Sequence, residues 1–456
     1  MKTTNRSMSS TILDQPNYQI NYKLWQQLDL SIAVDYTYKG LPVESLFSMA
    51  LRVNKKRQFL FVSPLIAKHL AVSPAIALGT GTLLAYLLME DAEIDFLSHA
   101  EELVQLIKTG EADPENIKEA FAYKTALPKK TIFIGMAETA TGLGHAVFQH
   151  FEDAAYIHTT RENISGLTPS FVFEEEHSHA TSHIVYAPKG MFEEAETIVL
   201  IDDEISTGNT FVNLIKALDD QFPGKKYKAL SILDWRSEEQ QEKFRELAES
   251  RKIQVDVLAL VKGQFNLHHS ESPNEAAIEH LTGSHGVSSL QELAKAQQLS
   301  HKSATGQDYL SLTGRFGLTS SEHAEVSRWA EQMVQAVGGA KDGEKPLIIG
   351  IGENMYLPIR FAYALSSNAL VQTTTRSPIF ASTNEDYPIK EKVKFLLPDS
   401  EGVDQFLYNL KELDINKIYL IAESVVDESA WQPLLAYLEE KASVEWISLT
   451  TAKRRD

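Results

Sequence analysis

An apolar run that ends in paired carboxylates and passes at once into a hydroxyl-rich turn constrains this chain more than any other feature. The run is Thr197-Ile-Val-Leu-Ile-Asp-Asp-Glu-Ile-Ser-Thr-Gly-Asn-Thr210. Its first five residues read as a buried strand ending at the acidic pair. Beyond the turn, Phe211, Leu214, Ile215 and Leu218 recur on one face of a helix. Strand, loop and helix in that order make an anion site, because backbone N–H groups and the helix dipole both point at whatever the loop encloses. Phosphate fits such a loop, with Ser206, Thr207 and Thr210 as further donors and Gly208 allowing close backbone approach. Asp202 and Asp203 would repel a phosphate and so must face something neutral. The hydroxyls of a sugar carrying that phosphate are the natural partners. A capped strand followed by an ordinary Ser-Thr-Gly turn explains either half alone, but not both in this spacing.

Charge and composition exclude several classes. The formal net charge of −19 argues against general binding to nucleic-acid backbones or anionic membranes, though not against a local basic pocket. No cysteine is present, so there is no disulfide framework, zinc ribbon or thiol nucleophile. The stretch Met1–Asn17 lacks the apolar centre of a signal peptide, and no apolar run approaches the ~20 residues that span a bilayer. A soluble cytoplasmic protein with no membrane partner is expected.

Along the chain, residues 1–18 read as a disordered tail. Residues 19–127 mix short strands (28–37, 58–63) with helices (75–89, 95–107). They contain a basic cluster, Asn54-Lys-Lys-Arg57, that is either a solvated turn or part of a hood over an anionic substrate, and Lys68-His69 follows. From 128 to 262 strands and helices alternate: strands at 130–135, 184–186, 197–201, 228–233 and 254–260, with a helix at 143–152 between the first two. This is the pattern of a parallel sheet with covering helices. Residues 263–318 read as a linker with one short helix near 288–297. A second alternating unit fills 319–456, with strands at 346–350, 369–374, 392–397, 417–421 and 443–449 and helices at 357–366, 402–412 and 428–440. The expected fold is α/β throughout, a hooded parallel sheet followed by a Rossmann-like domain.

The acidic pair and Thr-Gly-x-Thr turn resemble the phosphoribosyl-pyrophosphate (PRPP) motif of type I phosphoribosyltransferases. The resemblance implies a sheet of that family and a reaction in which phosphoribose passes from PRPP to a nitrogenous small-molecule acceptor. Asp202 and Asp203 would hold the ribose hydroxyls, directly or through Mg²⁺, and Ser206, Thr207, Gly208, Asn209 and Thr210 the 5′-phosphate. A second anion loop is needed for pyrophosphate, and Gly135-Met-Ala-Glu-Thr-Ala-Thr-Gly-Leu-Gly144 occupies the family's place for it, offering Glu138, Thr139, Thr141 and Gly142. Glu138 either holds a loop N–H or a metal-bound water, or only complements the helix dipole. Arg161 either clamps pyrophosphate or pairs with Glu162. The polar stretch Phe173–His183 suits a closing lid, with His177 and His179 as proton-transfer or leaving-group contacts. The spacing of His177, His179 and His183 also admits a metal, but no known zinc motif supports it. Phosphorolytic or hydrolytic cleavage of a ribose 5-phosphate compound, and PRPP sensing without turnover, are the competing functions.

Over nearly its whole length the chain resembles a bacterial fusion of an orotate-type phosphoribosyltransferase-like domain with a C-terminal TRSP domain. The motif Thr375-Arg-Ser-Pro378 carries this, with Arg315-Phe-Gly-Leu318 and Gly350-Ile-Gly-Glu-Asn-Met-Tyr-Leu-Pro358. The resemblance implies tellurite-resistance stress operons, partner enzymes of the same operon, a nucleoside-like product and, from type I relatives, a homodimer. The chain lacks the lysine-rich mobile loop of orotate enzymes, which counts against orotate as acceptor. A separate second-domain ligand site is expected at Gly352, Glu353, Thr375, Arg376 and Ser377. There Arg376 meets an anion and Glu353 a hydroxyl or amine, or the two form an internal ion pair.

Overall fold

A computed structural model describes residues 18–53, 57–174, 182–271, 273, 275, 278–283, 286–293, 299–302, 308–397 and 402–450. The expected tail falls almost wholly outside the described residues, and Tyr18 already opens a strand.

The first sheet contains β1 (Tyr18–Leu24), β2 (Leu28–Thr37), β3 (Thr131–Gly135), β4 (Ala155–His158), β5 (Thr197–Ile205), β6 (Lys226–Asp234) and β7 (Gln254–Ser270). Their spatial order is β1-β2-β7-β6-β5-β3-β4, with the two-residue strand Leu318–Thr319 beyond β4. The five strands from β7 to β4 are parallel, while β1 and β2 add antiparallel at the other side. β3 is buried at every position, and so is β5 as far as Ile201, as near-continuous apolar runs require in a sheet covered on both faces. In chain order the parallel strands lie 2-1-3-4-5, so the order reverses between β3 and β5, the place where such sheets open a crevice.

Unequal pairing of β5 shapes that crevice. Its register with β3 stops at Ile201–Gly135, but with β6 it continues to Ile205–Asp234. Asp202, Asp203 and Glu204 therefore lie inside the strand, not after it, with open space along one edge.

In the second unit, β8 (Leu290–Glu292), β9 (Pro346–Gly350), β10 (Leu370–Thr373), β11 (Lys417–Ala422) and β12 (Ser443–Ser448) form a parallel sheet ordered β8-β12-β11-β9-β10. Its order reverses between β9 and β11. Helices α1 (Pro74–Asp91), α2 (Ala140–Phe148), α3 (Asn209–Gln221), α4 (Ser320–Ala336) and α5 (Tyr356–Leu365) supply the principal packing layers.

Several expectations are corrected. The helix expected over 402–412 is the strand Asp404–Tyr408 and a 3-10 turn, Leu410–Glu412. The strand alternates, sending Phe406 and Tyr408 into one core and Leu407 into another, which hides its period of two behind continuous hydrophobicity. The helix expected near 288–297 is instead β8 where it is described, drawn into the second sheet by pairing with β12. Residues 263–270 continue β7 rather than starting a linker, and Leu318–Thr319 pairs with β4. The strand expected at 184–186 is Ser182–Val185, paired antiparallel to Phe171–Glu174 outside the main sheet. Two helices are shifted: that expected at 95–107 starts at Ala100, and that expected at 143–152 is α2.

The two units share one apolar cluster, which runs from the hood through α1 and α2 to Tyr356, Ile359 and Val371. Backbone bonds stitch them as well. Val72 N donates to Val371 O (3.0 Å) and Val371 N to Val72 O (2.9 Å), while Val53 N donates to Pro378 O (3.0 Å) and Phe380 N to Leu51 O (2.9 Å).

α1 crosses α2 at Gly81, where a Cβ would lie 2.4 Å from Ala146 Cβ and 2.7 Å from its carbonyl carbon. The obstacle is backbone and cannot swing aside. Gly81→Ala is expected to lower stability by about 1–3 kcal/mol, read as a fall in the denaturant midpoint at unchanged slope.

Candidate active site

A cavity of about 410 Å³ opens at the reversal point of the first sheet. Asp202 and Asp203 line it, and so do Ser206, Thr207, Gly208 and Thr210 of the turn. Gly208 takes φ +78° at the N-cap of α3, and its backbone lies so close to Phe244 that a Cβ would stand 2.4 Å from the ring. Only glycine meets both demands. Asn209 opens α3 but is not part of the wall.

The second loop contributes Ala137, Glu138 and Thr139 to the wall. Thr141 and Gly142, expected there, are turned away. Thr141 is buried and its hydroxyl donates to Glu138 O (2.9 Å), while Gly142 packs within reach of Met355 and Ile359 of the second unit. Helix α2 starts earlier than expected, which carries these two residues into the core. Thr375 Oγ1 donates to Glu138 Oε2 (2.7 Å), the Arg376 N–H donates to the same oxygen (3.4 Å), and Lys68 Nζ lies 3.8 Å away.

Cations ring this cavity in an otherwise acidic chain. Arg161 lines it as expected, joined by Arg52, Arg57, Lys68 and Arg376. Lys68 Nζ donates to Thr139 Oγ1 (2.6 Å). Arg57 donates twice to Glu204 (2.8 and 3.1 Å), which ties the hood to the end of β5. Burial pushes the Glu204 carboxyl up, and Arg57 works against that shift. Of the basic cluster, Arg57 lines the cavity; Asn54, Lys55 and Lys56 lie outside the described residues, as do His177 and His179. His183 is buried and hydrogen-bonds Thr159 Oγ1 (2.8 Å) away from the cavity. Among the described residues no His, Cys, Asp and Glu cluster has metal-ligating geometry.

His69 was named in the sequence only as a neighbour of Lys68. It lines the cavity at 4% exposure, and neither ring nitrogen has a partner among the described residues. Burial, with Lys68 and Arg52 adding to it, holds its pKa well below the ordinary value, so the ring is neutral. No periodicity marks such a residue; only its burial against a cavity does.

The site expected in the second unit is divided. Gly352 and Glu353 line a smaller cavity of about 40 Å³, Ser377 lines the larger one, and Arg376 lines both. Glu353 and Arg376 do not pair. Arg376 bonds Glu162, the residue offered as an alternative partner of Arg161. Glu353 accepts from Thr160 Oγ1 (2.7 Å), Arg161 N (2.9 Å) and Arg315 Nη2 (3.2 Å). Arg315, 2% exposed, also bonds Glu423 (3.0 Å), and its guanidinium stacks 4.3 Å from the Tyr309 ring. Burial alone would raise the Glu353 pKa, but Arg315, His158 and these hydrogen bonds bring it down to about 2.

A family model described as phosphoribosyl transferase matches residues 46–264. A second, the TRSP domain C-terminal to that family, matches residues 312–438. The chain is a phosphoribosyl transferase domain fused to a TRSP domain. Three solved structures are similar to part of the chain. Adenine phosphoribosyl transferase from Trypanosoma brucei is 17% identical, over 38% of this chain and 78% of that one, with a TM-score of 0.24. The Giardia lamblia enzyme complexed with 9-deazaadenine is 15% identical, over 34% and 83%, at 0.21. A hypoxanthine phosphoribosyltransferase from Staphylococcus aureus is 10% identical, over 38% and 69%, at 0.19. No curated protein matches the chain. Among the described residues no helix is long and apolar enough to cross a membrane.

Of the TRSP motif, Thr375 thus bonds Glu138 of the transferase domain, Ser377 lines the larger cavity and Arg376 lines both cavities. The domain junction centres on the Arg315–Glu353–Glu423 cluster. Breaking a buried pair leaves a charge uncompensated, so Glu353→Gln is expected to destabilise by about 3–5 kcal/mol. The Glu353 pKa is depressed in the folded state, so its contribution is present above the unfolded value near 4.5 and is lost as pH falls through about 2. Thermal melts between those limits should fall less steeply with acid in the variant than in the wild type.

Proposed function

We propose that the larger cavity binds PRPP and transfers its phosphoribosyl group to a nitrogenous small molecule, with Mg²⁺-dependent release of pyrophosphate. One observation carries this reading: Asp202, Asp203 and the hydroxyl-bearing turn that follows them line a single cavity together with five cations, Arg52, Arg57, Lys68, Arg161 and Arg376. A ribose 5-phosphate bearing a pyrophosphate needs that arrangement, neutral hydroxyls toward the carboxylates and both charged ends toward amides and cations.

In this reading Ser206, Thr207, Gly208 and Thr210 take the 5′-phosphate, and Asp202 and Asp203 the 2′- and 3′-hydroxyls. As the bond from C1′ to pyrophosphate breaks, positive charge grows on the sugar, and the two aspartates stabilise it. Lys68 and Arg161 stabilise the leaving anion. Asp202 and Asp203 would hold Mg²⁺ through their carboxylate oxygens, and the ion would supply positive charge against the departing phosphates. The acceptor lies against the hood, where Phe61 offers an apolar face and the neutral His69 a donor and an acceptor. The nitrogen of the acceptor forms the new bond to C1′ as the bond to pyrophosphate breaks.

Titration calorimetry with PRPP and Mg²⁺ tests the assignment. The double variant Asp202→Asn, Asp203→Asn is expected to bind at least about tenfold more weakly while melting close to the wild-type temperature. Unchanged affinity would remove the aspartates from the site. Incubation with PRPP, Mg²⁺ and a metabolite extract should yield pyrophosphate and one species heavier by a ribose phosphate.

A further inference from the structure

We propose that Arg376 of the TRSP domain holds the pyrophosphate end of PRPP, so that the two domains build one active site. This rests on the reading of the larger cavity given above and adds which domain grips the leaving group. Arg376 belongs to the second domain, yet it lines the first domain's cavity beside Lys68, Arg161 and Glu138.

Its backbone is held from the transferase side. Thr375 Oγ1 donates to Glu138 Oε2 at 2.7 Å, Arg376 N lies 3.4 Å from the same oxygen, and Pro378 O accepts from Val53 N at 3.0 Å. A loop tied at both ends presents its guanidinium with little freedom to lose.

The second domain offers that arginine no ligand of its own. Its crevice, between β9 and β11, is filled by the chain itself. Asp308 N donates to Ser424 Oγ (3.1 Å), Leu310 N donates to Glu423 Oε1 (2.7 Å), and the Arg315 guanidinium bridges Glu353 and Glu423. The space left is about 40 Å³, room for water but not for a sugar phosphate.

Glu162, in the wall of the smaller cavity, is the resident partner of Arg376, which lines both cavities. A largely buried guanidinium cannot stand unmatched, and a carboxylate matches it until a stronger anion arrives. Pyrophosphate brings more charge and accepts bidentately, so Arg376 exchanges Glu162 for it. Glu162 then keeps the hydroxyl of Tyr309, 3.3 Å away.

The test is titration of the full-length protein with Mg²⁺–pyrophosphate and, separately, with ribose 5-phosphate. Arg376→Gln is expected to weaken pyrophosphate binding by at least about tenfold and to leave ribose 5-phosphate within about twofold. Glu162→Gln removes the competitor and should bind pyrophosphate as tightly as the wild type or more so. If Arg376→Gln keeps its pyrophosphate affinity, the proposal fails. It fails equally if both variants lose affinity alike, since the pair would then be only a strut between domains. If the wild type binds neither ligand, the PRPP reading itself falls and this proposal with it.

Discussion

The buried guanidinium of Arg315 is the charge around which both domains are arranged. A cation removed from water must be matched by carboxylates and hydrogen bonds. Glu353 and Glu423 match it, and they stand just past the ends of β9 and β11, on either side of the second sheet's reversal point. The remaining lone pairs of Glu353 accept from Thr160 and from the amide of Arg161, in the loop after β4. That loop supplies Arg161 to the larger cavity, so a charge cluster in one domain sets a cavity wall in the other. Arg315 is itself held from the transferase side, because the carbonyl of Thr313 lies 2.8 Å from His145 Nε2 on α2.

The larger cavity repeats the same logic with opposite sign. An acidic chain concentrates arginine and lysine around this cavity and gives two of the carboxylates there a partner. Glu204 has Arg57 and Glu138 has Thr375 and Lys68. Asp202 and Asp203 face the opening that β5 leaves when it outruns β3. Uneven strand length, a property of the backbone alone, thus decides which carboxylates line that opening.

Much of this was legible in the residues. The apolar runs at 131–135 and 197–201 could only be buried strands, and both alternating units emerge where periodicity placed them. The turn at 206–210 was readable because its chemistry is local: amides, hydroxyls and a left-handed glycine within a few residues. The strand Asp404–Tyr408 was misread as helix because its two faces enter two different cores, leaving no polar side to reveal the alternation. Thr141 and Gly142 were misplaced because the start of α2 decides which side of a glycine-rich loop faces a ligand and which packs.

From residues alone came the two sheets, the anion turn and the acidic pair, since each depends on neighbours within a single strand–loop–helix unit. Only the tertiary structure decided which charges meet. Arg376 pairs with Glu162 rather than Glu353, Arg315 plugs the second crevice, and His69 faces the cavity with both nitrogens open. These partners lie scores of residues apart or on different domains, and a chain's local pattern carries no record of what folding brings to its side.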